Sequence, residues 1–191
     1  MAKLLNYLAL QAGWFACVLG AAQGRPWLGP VVVVVLVSLH LALHPQRRRE
    51  ALVVLCVAPL GTAVDSAQQA LGWIRYVGEP LGGLSPLAPA WIAALWLLFP
   101  ITFHSSLGWL RRRPVLAALF GAVGGPLGYL GGERLGALEI GPERWPSLGG
   151  LALAWGLAMP VLLWLAERLD RSTSDSTPAV SADPDPGCAG G

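Results

Sequence analysis

The sequence predicts an all-α integral membrane bundle of about six transmembrane helices with a disordered C-terminal tail. Three observations carry that expectation: the charge content, the length of the apolar stretches and the placement of the basic residues. Only 13% of the 191 residues are charged and 54% are hydrophobic, against roughly a quarter charged in an ordinary soluble domain. The charges gather in short clusters between long apolar runs, which is the arrangement a bilayer imposes. Net charge is only +2, and the basic groups do not form a stripe with interleaved aromatics, so nucleic acid is not expected as a partner.

Six stretches reach the 17 or so residues needed to cross a hydrocarbon core of about 30 Å. Residues 4–22 follow Lys3 and stay apolar up to Ala21-Ala22. They also have the outline of a signal peptide, but Asn6, Gln11 and Trp14 and the lack of an A-x-A site favour a retained first span. Residues 27–43 are rich in Val and Leu, and 51–71 follow the triplet Arg47–Arg49. The stretch 72–85, broken by Pro80 and its glycines, cannot span and is expected on the outer surface. Ser85-Pro86 then reads as the cap and first turn of a fourth span over 86–106. Spans five and six cover 114–132 and 147–166. The many glycines and Pro126 leave a re-entrant fifth segment as the alternative.

Basic residues in short loops mark the cytoplasmic side. With six spans, nine of them (Lys3, Arg47–Arg49, Arg111–Arg113, Arg168 and Arg171) share one side, and four (Arg25, Arg75, Arg134 and Arg144) share the other. Both termini are therefore expected in the cytoplasm. Trp27, Trp73, Trp91 and Trp145 fall near the outer boundary and Trp109 and Trp164 near the inner one, while Trp14, Trp96 and Trp155 lie deeper, between helices. Residues 1–171 form the expected transmembrane domain. Residues 172–191, rich in Ser, Thr, Asp, Pro and Gly, bury too little apolar area to order and are expected as a disordered cytoplasmic tail.

Several constellations are candidates for chemistry or packing. Gly124, Gly128, Gly132 and Gly136 recur every four residues, a stripe that lets another helix approach closely. Lining of a substrate groove is the functional alternative. Asp65, Gln68 and Gln69 share one helix face at i, i+3 and i+4, and an ionisable group inside a membrane is a functional candidate by default. With Gln11, Tyr129, Glu133 and Arg134 they make up the candidate polar intramembrane site. The competing reading is structural glue, with Asp65 paired to Arg25, Arg75 or Arg134. His40, His44 and His104 fall at the opposite face, where Glu50 or Glu167 could add a carboxylate to a metal site; interfacial histidines without a ligand role are the preferred reading. Cys17, Cys56 and Cys188 show no metal-ligand spacing, so neither a disulfide framework nor a metal site is expected. No catalytic set is recognisable: there is no Ser–His–Asp order, P-loop or carboxylate pair at catalytic spacing.

Asn6, Gln11-Ala12-Gly13-Trp14-Phe15, Gly20-Ala21-Ala22, Asp65, Gly125-Pro126-Leu127-Gly128-Tyr129-Leu130-Gly131-Gly132, Trp155 and Met159-Pro160 together resemble an uncharacterised family of bacterial multi-spanning inner-membrane proteins, a domain of unknown function. The likeness covers about residues 4–168. It implies a multi-pass bacterial inner-membrane protein and carries over no catalytic residue. The preponderance of Arg over Lys, with abundant Ala, Gly and Pro, fits a GC-rich bacterial source. The functional expectation is a protein that is not an enzyme, either an accessory component or a small binder or carrier of a lipid-like or other small molecule. The alternative is a membrane-embedded enzyme acting on lipid or isoprenoid. Expected partners are the bilayer, other membrane proteins and a lipid-like ligand, with no cofactor.

Overall fold

The computed structural model describes residues 2–175, with side chains described for 3–171. Six α-helices follow one another: α1 (Ala2–Ala22), α2 (Leu28–Leu43), α3 (Arg47–Ala70), α4 (Ala90–Leu98), α5 (Pro114–Arg134) and α6 (Arg144–Asp175). Four are long and apolar enough to cross a membrane: α1, α3, α5 and α6. The other two are shorter. α2 has 16 residues, about 24 Å at 1.5 Å per residue. The expected fourth span is the more altered, because α4 has only 9 residues before a 3-10 turn over Phe99–Thr102 that contains Pro100. Proline supplies no N–H and clashes with the preceding turn, so the α-helix stops there. A short helix suffices because α4 is enclosed by α1, α2 and α3, and Trp91, Ile92, Ala94, Trp96 and Leu98 are all buried.

α5 runs unbroken through Pro126 for 21 residues, long enough to cross fully. α6 continues to Asp175, four residues into the segment expected as tail; the remainder of that segment, 176–191, lies outside the described residues.

Two short strands are additions to the all-α expectation. β1 (Ile74–Tyr76) follows α3, and β2 (Leu138–Ile140) follows α5; they pair antiparallel with Tyr76 opposite Leu138 and Ile74 opposite Ile140. Period-two alternation turns Ile74, Tyr76, Leu138 and Ile140 inward and leaves Arg75 and Glu139 as an exposed pair at 3.7 Å. Gly136 lets the chain leave α5 with φ of 82°, a left-handed value that only glycine adopts freely. The segment expected on the outer surface thus folds back and contributes core. Trp91, expected at a membrane boundary, is buried and donates from Nε1 to Val77 O at 2.8 Å, while Trp27, Trp145, Trp109 and Trp164 are exposed.

α5 packs most extensively against α6. A Cβ at Gly121 or Gly125 would collide with Trp155. Gly124 and Gly128, by contrast, meet no neighbouring helix, Gly132 faces Leu138, and Gly136 lies beyond the end of α5. The stripe predicted at 124, 128, 132 and 136 is therefore not the packing face. The row that meets α6 is the one carrying Gly121 and Gly125.

Candidate functional site: a carboxylate at the end of an apolar cavity

Asp65 is 3% exposed and lies in the last two turns of α3, which ends at Ala70. Its Oδ1 accepts from the Tyr76 hydroxyl at 2.7 Å and from the Tyr129 hydroxyl, and its Oδ2 accepts from Trp96 Nε1 at 2.5 Å. Residues from α3, β1, α4 and α5 thus converge on one carboxylate. All three donors are neutral, so in place of the pairing with Arg25, Arg75 or Arg134 that the structural-glue reading offered, the carboxylate has a cradle of hydroxyl and indole groups. Such a cradle satisfies a buried acceptor without burying a second charge. Burial and the neighbouring Asp65 push the Tyr76 phenol above its ordinary value, which keeps it protonated as a donor.

Trp155 Nε1 donates to the Tyr129 oxygen at 3.0 Å, and Gln68 Oε1 lies 3.1 Å from that oxygen. Gln68 is 2% exposed, and its Nε2 has no partner among the described residues. One phenolic proton cannot serve both Asp65 and Gln68. One end of the amide therefore stays unpaired whichever way round it sits.

A cavity of about 580 Å³ ends at this cluster. Its walls are mainly apolar and aromatic, with Trp96 stacked on Trp155 at 5.1 Å and Phe99 edge-on to both. Tyr7 and Phe15 on α1 and Phe120 and Leu127 on α5 line it while remaining 43% exposed or more, so its open side lies between these two helices. Gly124 and Gly128 also line it. A Cβ at Gly128 would meet nothing within 4 Å, so absence of side chains there leaves room rather than contact.

The remaining predicted residues take other places. Gln11 lines the cavity but is tied to the Tyr7 hydroxyl at 2.7 Å, nearer the mouth than the carboxylate. Gln69 donates to Pro86 O at 3.0 Å and accepts from Tyr76 N at 3.4 Å, holding β1 and the segment before α4. Glu133 accepts from both Arg144 Nη atoms at 3.0 and 2.8 Å and from Ile140 N at 3.2 Å, which pins the turn into α6. Arg134 is exposed. Of the predicted set, Asp65, Gln68 and Tyr129 are brought together; Tyr76, Trp96 and Trp155 join them without having been predicted as site residues. Depth in the sequence alone places Trp96 and Trp155 between helices. For Tyr76 the available signal was the alternation of Ile74, Arg75 and Tyr76, hidden inside a stretch dominated by breakers.

At the opposite end of the bundle the three histidines gather around Glu50, whose side chain is 3% exposed. His40 Nε2 lies 3.3 Å from Oε2, and His44 Nε2 and His104 Nδ1 lie 3.7 and 2.7 Å from Oε1. His104 Nε2 reaches Asp170 at 2.9 Å, and Arg111 closes on the same carboxylate at 2.5 Å. The ligand atoms of His40, His44 and Glu50 lie within 4.8 Å of one another, a spacing that could admit a metal ion. However, Gln46 N donates to His44 Nδ1 at 3.2 Å, which holds the ring proton on Nε2, where a metal would need a lone pair. The arrangement is thus better suited to hydrogen bonding among α2, α3, α6 and the turn after α4.

The family described as "Protein of unknown function (DUF2878)" matches residues 3–161. The chain belongs to this family. The match takes in the whole carboxylate cluster and every lining residue of the cavity. It leaves out Glu167 and Asp170, so the α6 end of the histidine network lies beyond the matched residues. No curated protein and no solved structure matches the chain.

Proposed function

We propose that this DUF2878 protein is a multi-pass bacterial inner-membrane protein with both termini in the cytoplasm, and that it binds or carries a lipid-like molecule between α1 and α5. One observation carries the binding reading: a largely apolar cavity, open between two lipid-length helices, ends on a buried carboxylate and its phenol and indole donors. Ligand pockets of about 300–1,000 Å³ commonly pair apolar walls with a few placed polar groups that fix orientation. A chain would lie along the aromatic walls, and its polar end would meet Asp65. A purely structural carboxylate would need no adjoining space.

The test uses the purified full chain in lipid nanodiscs and a brominated long-chain alcohol, whose bromines quench tryptophan fluorescence on contact. Saturable quenching is expected, because Trp96 and Trp155 line the cavity. Gly124→Leu should abolish the saturable part by filling the cavity, since the only atom a Cβ there would meet within 4 Å is on Phe120 of its own helix. Quenching that rises linearly with probe and is the same in both proteins would reflect bulk partitioning and defeat the reading.

A further inference from the structure

Resting on that reading, we infer that the ligand's polar end is an uncharged hydroxyl on a long apolar chain, and that the site turns away the same chain ending in a carboxylate or phosphate. Recognition of a buried anion requires a cation or several free donors aimed at it. Neither is present at this end of the cavity. The Tyr76, Trp96 and Tyr129 donors are directed at Asp65, and the Trp155 N–H is directed at Tyr129. Among the described residues, no Lys, Arg or His lines the cavity. Arg75 and Arg144 are held by Glu139 and Glu133 near the same end of the bundle.

What the cavity does offer is acceptor capacity. A carboxylate has about four lone-pair directions, and three donors engage Asp65. A hydroxyl can give its proton to the remaining acceptor direction of Asp65 without bringing a charge into the cavity. A carboxylate has no proton to give Asp65, and a carboxylate or phosphate would bring negative charge beside Asp65 in a low-dielectric site. The expected class is a long-chain or polyprenyl alcohol, or a quinol, whose ring suits the aromatic walls.

The experiment compares three probes with one chain and different heads: geranylgeraniol, geranylgeranoic acid and geranylgeranyl phosphate. Each competes with the brominated probe for the wild-type protein in uncharged-lipid nanodiscs at neutral pH. The alcohol should bind, with the acid and the phosphate weaker by roughly tenfold or more. Acid or phosphate binding as tight as the alcohol overturns the head-group inference while leaving a lipid-binding protein. Failure of all three, together with the brominated probe, removes the binding reading as well. Asp65→Asn deletes the charge at nearly constant shape and should narrow the alcohol-to-acid gap to about threefold; an unchanged gap in a folded variant overturns the role given to Asp65. The wild-type series decides the head-group preference even where that variant does not fold.

Discussion

Tyr129 shows how one side chain can serve packing and site together. Its hydroxyl donates to Asp65 and accepts from Trp155, whereas the Tyr76 hydroxyl is engaged with Asp65. Removing a buried partner leaves the other group unsatisfied at a cost of about 1–3 kcal/mol. Tyr129→Phe orphans both an acceptor site and the Trp155 N–H, so it should lower thermal stability in detergent more than Tyr76→Phe, the latter by roughly 1 kcal/mol. Equal losses from the two would deny Tyr129 its double role. At Gly61 a Cβ would collide with the Trp96 ring. Gly61→Ala should therefore cost about 1–3 kcal/mol as an overpacked contact and displace the indole from Asp65. A shifted tryptophan emission accompanying the lower melting temperature is the expected signature. Asp65 itself was visible in the sequence because a lone acid in an apolar helix is conspicuous. Its partners were not, since each comes from a different element and only the fold sets which neutral donors face it.

Among the elements, α5 carries the sharpest contrast. Gly125 abuts Trp155 of α6, while Gly124, one residue earlier, faces the cavity. Gly125→Leu should wedge α5 from α6 and cost about 3 kcal/mol or more, whereas Gly124→Leu should keep near wild-type melting and lose the bound chain. The reverse pattern in paired melting and quenching measurements would restore the stripe predicted from the four-residue spacing. That spacing revealed a glycine-dense helix but could not choose a face, because α5 is nearly uniformly apolar around its circumference and no polar side marks its orientation. Long helices were read well, since twenty apolar residues leave few other options. The three-residue strands were missed because so short a segment carries little pattern, and their pairing spans the sequence between Tyr76 and Leu138. The solvent side of that ladder matters little: Arg75→Ala and Glu139→Ala should each change stability by less than about 0.5 kcal/mol, as exposed ion pairs usually do.

At the scale of the whole molecule, the charged groups divide between the two ends of the bundle. Arg111, Asp170, Glu167 and the three histidines meet at one end, where the N-termini of α3 and α5 lie with the C-terminal part of α6. The β1–β2 ladder and the Glu133–Arg144 pair close the other. Six helices alternate in direction between these ends, so the nine-to-four division of basic residues becomes a division between two faces. In the proposed topology, which follows the rule that basic loops stay cytoplasmic, the end carrying Arg47–Arg49 and Arg111–Arg113 faces the cytoplasm and the cavity's carboxylate lies toward the opposite side. The short α2 and α4 are where this topology is most exposed to failure: a helix that re-entered instead of crossing would reverse every later loop. Reporter fusions separate the cases. One is placed after Gly191, leaving α6 intact to Asp175, and one after Glu143, in the turn between β2 and α6. A reporter active only in the cytoplasm should be active at the first position and silent at the second. A silent fusion after Gly191 in a stably expressed protein would mean an odd number of crossings, which would move the tail outside and undo the both-termini-inside topology.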